Sequence, residues 1–186
     1  MVHSLPQASV EALQSILYNS KLLGDGANAL RSLYMYMLKN GLTSHCFMGN
    51  HIILELVSIG YIHEARNVFG RLTYCNEMSW NFLITGYVEF GMFGCAFLLY
   101  NDMLKHKMNP SGHTLVALLK TCAEIGSIEK GIEVHREAER LGFLETNVFV
   151  GSTLVDMYAN CGYLSHALIV FDKLRVRNVI IWSLLM

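Results

Sequence analysis

Proline is nearly missing from this sequence: two in 186 residues, at positions 6 and 110. Most of the chain therefore carries no obligatory helix breaker. Charge is also sparse, at 16% Asp, Glu, Lys and Arg with a formal net charge of −1, so there is no global basic field of the kind that advertises a nucleic-acid binder. No CxxC pair occurs. The five cysteines, at 46, 75, 95, 122 and 161, are too widely spaced for a zinc knuckle or a redox pair. Scattered thiols in odd number beside ten methionines read as buried, reduced side chains of an intracellular protein. An unbroken apolar run is lacking too. The longest weakly charged stretch, MSWNFLITGYVEFGMFGCAFLLYN at 78–101, holds Glu89, Gly86, Gly91 and Gly94, whereas a membrane-spanning helix needs about 20 mostly apolar residues. Two short helices are expected there, and no membrane partner. The opening, MVHSLPQASVEALQSILYNSKLL, has no charged start before an apolar core and little arginine, so neither a secretory signal nor an organelle-targeting peptide is expected in it.

What is present is apolar sequence punctuated by glycine. At 53% hydrophobic residues the chain can bury a real core, and its apolar segments have helical length. In 77–111, Trp80, Leu83, Ile84 and Tyr87 keep the i, i+3, i+4, i+7 spacing of one helix face, Gly91 interrupts it, and Ala96, Leu99, Tyr100 and Met103 resume it. Asn109 and Pro110 are expected to end that segment.

The segments repeat. CFMGNHIILELVSIGYIHEARNVFGRLTYCN (46–76) aligns without a gap on VFVGSTLVDMYANCGYLSHALIVFDKLRVRN (148–178), 102 residues later. Phe47, Gly49, Gly60, Tyr61, Ala65, Val68, Phe69, Leu72 and Asn76 are identical to their counterparts, and Trp80 continues the register onto Trp182. The chain divides into a lead (1–9), a degenerate long unit (10–45), a short unit (46–76), a standard unit (77–111), a long unit (112–147), a second short unit (148–178) and the start of another at 179–186. A single helical hairpin leaves one apolar face bare, so the units must stack. The expected fold is all-α, an α-solenoid of antiparallel helix-turn-helix repeats.

WNFLITGYVEFGMFGCAFLLYNDMLKHKMNP resembles a pentatricopeptide repeat, VFVGSTLVDMYANCGYLSHALIVFDKL the short unit of the plant subfamily that alternates unit lengths, and TLVALLKTCAEIGSIEKGIEVH its long unit. The resemblance implies sequence-specific binding of single-stranded RNA, one base per repeat, in organellar RNA processing or C-to-U editing, with editing-factor proteins as further partners. It implies a mitochondrial or chloroplast location, no enzymatic activity, no cofactor, no metal and no small-molecule substrate. Two residues per unit would read each base, the fifth and the last. These are Asn50 with Asn76, Asn81 with Ser111, Ser152 with Asn178, and Val116 with Asn147, where valine offers no polar group. The second residues, Phe47, Met78, His113, Phe149 and Ile180, would line the gaps between bases. The family's pairing rule then gives 5′-pyrimidine, cytosine-leaning pyrimidine, any base, adenine-3′.

Other readings of the same residues exist. Asn50, Asn81 and Ser152 could be helix caps. His135-Arg136-Glu137 matches the HxE of zinc deaminases but lacks the PCxxC half of that signature, and it falls where the family packs a histidine. The GDGANA at 24–29 fits a loose dinucleotide fingerprint, yet follows a helical segment rather than a strand. The five glutamates of 124–139 would repel phosphate and must lie away from an RNA channel. Helical hairpins alone would equally suit a protein-interaction scaffold of tetratricopeptide type, whose repeats are of uniform length.

Overall fold

The computed structural model describes Met35 and residues 46–174. The degenerate unit 10–45, the GDGANA segment, Asn178, Ile180, the start of a further unit at 179–186 and the side chain of Phe47 lie outside the described residues. Among those described, all regular structure is helical: α1 (Cys46–Ser58), α2 (Ile62–Arg71), α3 (Glu77–Glu89), α4 (Phe93–Lys105), α5 (Gly112–Ile125), α6 (Ile128–Arg140), α7 (Phe143–Thr146), α8 (Val148–Asn160) and α9 (Leu164–Lys173). The fold is all-α, made of the helix pairs of the solenoid class. No described helix is long and apolar enough to cross a membrane.

The chain divides into two compact units, Met1–Gly86 and Tyr87–Met186. In the first, α1 and α2 pair through Ile52, Ile53, Leu56 and Val57 on one side and Ile62, Ala65, Val68 and Phe69 on the other, all buried. The opening of α3 adds Trp80, whose ring meets Phe69 edge-on with centroids 4.8 Å apart. Such a pair contributes about 0.5–1.5 kcal/mol beyond its buried area. Gly86 allows the close approach: a Cβ there would lie 2.8 Å from one Val57 methyl and 2.9 Å from the other.

In the second unit the buried residues include Ala96, Leu99, Tyr100 and Met103 of α4, Leu115, Leu118, Leu119 and Cys122 of α5, Val134 and Ala138 of α6, and Leu154, Met157, Ala167 and Phe171 of α8 and α9. All eight apolar residues expected to carry the face of 77–111 are buried, and Ala65, Ala96 and Ala167 are each fully enclosed. Their lack of bulk lets the second helix of each pair sit close to the first.

The 102-residue offset is reproduced bond by bond at the inter-helix turns. Gly60 (φ 86) and Gly162 (φ 83) both adopt the left-handed conformation that glycine reaches without strain. Each donates its N–H three residues back, to Val57 and to Ala159, at 3.0 Å, and the following tyrosines, Tyr61 and Tyr163, donate to Leu56 and Tyr158 at 2.8 Å. This double closure satisfies the last carbonyls of α1 and α8. Two local features are not announced by the sequence. Helix α4 stops at Lys105, well before Pro110, because Lys107 takes a left-handed φ of 57 and closes the helix with its own N–H on Leu104. The long unit also holds an extra turn, α7, between its hairpin and α8.

Candidate nucleic-acid interface

The candidate residues gather where the first helix of each pair begins. In the first unit Asn76 stands just before α3, and its side-chain oxygen accepts the N–H of Ser79 at 3.1 Å while the Asn76 N–H donates to the Ser79 hydroxyl at 3.3 Å. This is a reciprocal capping arrangement, with serine in the place usually held by glutamate or glutamine. The Asn50 side-chain nitrogen donates to the same Asn76 oxygen at 2.9 Å, and the Ser79 hydroxyl donates to the Asn50 oxygen. The fifth and last residues of 46–76 are thereby brought together. Asn50 is only 5% exposed and Ser79 fully enclosed, whereas Asn76 is half-buried.

In the second unit Ser111 caps α5, accepting the Thr114 N–H at 3.2 Å, with the two hydroxyls 3.0 Å apart. Asn147 caps α8, its side-chain oxygen accepting the N–H groups of Phe149 at 3.0 Å and Val150 at 3.3 Å. Its amide nitrogen rests against the start of α5, where a Cβ on Gly112 would come within 2.6 Å of it. Asn81, on α3, and Val116, on α5, are half-buried. Ser152 turns its hydroxyl back onto the Phe149 carbonyl at 3.2 Å, a carbonyl that Thr153 also engages at 2.7 Å. Capping thus belongs to the last residues Asn76, Ser111 and Asn147, not to the fifth residues Asn50, Asn81 and Ser152 that a capping reading of the sequence would select. Asn81 and Ser111 fall in different compact units, and Asn178 lies outside the described residues.

Two places after each cap a large side chain is held out to solvent: Met78 is 53% exposed, Phe149 76%, and His113 is exposed as well. Apolar side chains of this size gain most when a flat ring covers them. The sequence reading named these positions but did not identify Asn76, Ser111 and Asn147 as caps, and it did not single out their capping partners Ser79 and Thr114. The signal was there, as Asn-x-x-Ser and Ser-x-x-Thr, the spacing of a capping box.

Most of the acidic residues sit elsewhere. Four of the five glutamates, Glu129, Glu133, Glu137 and Glu139, belong to α6, the second helix of its pair, where Arg140 grips Glu137 at 2.6 and 2.8 Å and Lys173 reaches Glu139 at 3.1 Å, while the fifth, Glu124, lies on the last turn of α5, the first helix. The HxE residues are structural neighbours of this cluster. His135 meets the Tyr158 hydroxyl through Nδ1 at 2.9 Å, and burial lowers its pKa, partly opposed by Glu139. Tyr158 in turn stacks on His166 with centroids 5.5 Å apart. Among the described residues no three His, Cys, Asp or Glu side chains converge to hold a metal ion. The Cys122 thiol is pushed up to about 12 by burial, which keeps it protonated and unreactive.

A model described as the PPR repeat family matches residues 76–124, and a PPR repeat model matches 152–179. A pentatricopeptide repeat-containing protein of Arabidopsis thaliana is 30% identical over 154 residues, 82% of this chain and 21% of the relative. A mitochondrial one from the same plant is 33% identical over 153 residues, covering 82% and 24%, and a chloroplastic one is 34% identical over 165 residues, covering 83% and 18%. The chain spans 18% to 32% of the length of such relatives. Paired helices whose turns and caps recur in register, and matches on both halves of the described region, make this chain a member of the pentatricopeptide repeat family.

Proposed function

We propose that this chain is part of a sequence-specific single-stranded RNA-binding protein that reads one base per repeat. The repeats are 46–76, 77–111, 112–147 and 148–178, in the short, standard, long, short order of the plant subfamily. The observation that carries the reading is the recurrence, at the starts of α3, α5 and α8, of a polar cap followed two places on by a large exposed side chain. A cap supplies a polar edge and the exposed side chain a stacking surface, which is the pairing that unstacked bases require.

Asn76, Ser111 and Asn147, with Asn50, Asn81, Ser152 and Asn178, are the proposed base-reading residues. Met78, His113 and Phe149, with Phe47 and Ile180, are the proposed stacking residues. Relatives named as mitochondrial and chloroplastic support an organellar site of action, in transcript processing or C-to-U editing alongside editing-factor proteins. The chain's own role in that setting is binding rather than catalysis. Titration with randomised single-stranded RNA beside an unrelated peptide pool tests this. Retention of RNA that weakens with added salt supports it, and salt-insensitive peptide binding without RNA retention would replace it with a protein scaffold.

A further inference from the structure

The unit 112–147 differs from its neighbours in two ways at once. Its fifth residue, Val116, has no polar group to offer a base, and one turn further along α5 stands Lys120. Among the described residues Lys120 is the only Lys or Arg on the first helix of any pair: α1, α3 and α8 carry none, and the other cations sit on second helices or in the connection after α4. It is exposed and forms no hydrogen bond or ion pair among the described residues, whereas Lys105, Arg140 and Lys173 each hold a carboxylate at 2.6 to 3.1 Å. His113, Val116 and Lys120 follow i, i+3, i+7 spacing and so share one stripe of α5, while Leu115, Leu118, Leu119 and Cys122 fill its buried side. Lys120 lies about 6 Å along the helix from Val116, and its four-carbon stem is free to swing. At the same place in the other units, four residues after the fifth, stand Leu54, Thr85 and Asp156. Thr85 returns its hydroxyl to the Asn81 carbonyl at 2.9 Å and Asp156 accepts the Asn160 amide at 3.0 Å, so neither attracts a phosphate.

We propose that unit 112–147 holds the RNA strand by a backbone phosphate, with Lys120 as the contact, and anchors it without choosing its base. The inference rests on the RNA-binding reading above. A phosphate is the same beside every base, so the contact adds affinity and fixes position but carries no sequence information. The last residue of the unit, Asn147, already commits its side-chain oxygen to capping α8, which leaves the ammonium as the strongest polar group on the stripe. First helices otherwise carry Glu55, Glu77, Glu89, Glu124 and Asp156, so one ammonium decides where a phosphate can approach. Glu124, one turn beyond Lys120, repels it and confines it to the Val116 side. A single such contact also accounts for how a chain of net charge −1 can meet RNA without a basic field.

The test uses the full chain and short single-stranded RNAs in which each phosphodiester in turn is replaced by an uncharged methylphosphonate. With the unmodified chain, one replacement, beside the base facing 112–147, should weaken binding on the order of threefold more than its neighbours at low salt, the scale of an exposed ion pair. Exchanging that base among all four should leave the affinity unchanged. Lys120→Gln should weaken every RNA sequence by the same factor, lower the slope of log affinity against log salt by about 0.7, and make that one replacement no worse than its neighbours. Lys120→Arg should keep the slope. If Lys120→Gln leaves the slope unchanged, or if Lys105→Gln, the same charge change on a second helix, lowers it as far, Lys120 makes no such contact and the proposal is overturned. It is overturned also if exchanging the base facing 112–147 changes the affinity as much as exchanging the base facing 46–76, because the unit then reads a base. If the unmodified chain retains no RNA at all, the RNA-binding reading itself fails and takes this proposal with it.

Discussion

The Asn50 side-chain nitrogen lies 2.9 Å from the Asn76 side-chain oxygen, so residues 26 apart in sequence share one hydrogen bond at the mouth of a helical pair. The hairpin makes this possible: α1 and α2 run antiparallel, and the chain leaving α2 returns to the level at which α1 began. The meeting converts two ordinary asparagines into one oriented polar edge.

Asn147 caps α8 by accepting two backbone N–H groups, one of the four such donors at a helix start being normally satisfied this way. Asn147→Ala should cost about 1 kcal/mol in urea unfolding. Asn147→Asp, which keeps the accepting oxygen and adds favourable charge at the helix N-terminus, should retain most of that stability.

Gly86→Ala would improve helix propensity by about 1 kcal/mol in an open helix. Here the added methyl would meet both branches of Val57 and the end of Ile62 within 3.0 Å, and a rotation that clears one Val57 methyl drives the other inward. Packing outweighs propensity, so the variant should be less stable by about 1–2 kcal/mol net. Adding Val57→Ala should cost less in that background than in the unmodified chain, which a double-mutant cycle would detect.

Phe149 is 76% exposed and contributes little to the core. Phe149→Ala should leave the thermal midpoint within experimental scatter while weakening RNA binding by about 1–3 kcal/mol, the range for a lost base-stacking partner. A fall in stability with unchanged RNA affinity would assign Phe149 to the fold instead.

His135 is held against Tyr158 in a setting whose burial lowers its pKa, with Glu139 partly opposing and Lys173, His166 and Arg136 adding to the lowering. The folded state therefore prefers the neutral ring. Its contribution is fully present above the unfolded value of about 6.5 and is lost as pH falls below that toward the folded pKa. The urea midpoint should drop between pH 7.5 and pH 5.5, and His135→Gln should flatten that drop.

Much of this fold was legible because the chain states it twice. Gly60 and Gly162 marked the same turn, the face from Trp80 to Tyr87 was correctly placed in the core, and Ala65 and Ala167 marked the same close approach. The end of α4 was less legible, since Lys107 adopts a left-handed conformation that its side chain does not announce. The site was legible as positions but not as geometry. The family resemblance pointed to Asn50 and Asn76, whereas the burial of Asn50 and its bonds to Asn76 and to the Ser79 hydroxyl arise only when the helical pair brings residues 26 and 29 apart in sequence together.

The central claim is that the repeats read bases in order, and direction is its sharpest consequence. Fluorescence anisotropy at low ionic strength should compare one single-stranded RNA carrying pyrimidine, cytosine, any base and adenine from 5′ to 3′ with a second RNA of the same composition in reverse order. The account predicts tighter binding of the first, and a loss of that advantage when the RNA is made double-stranded. Equal affinity for the two orders, or preference for the duplex, would contradict it.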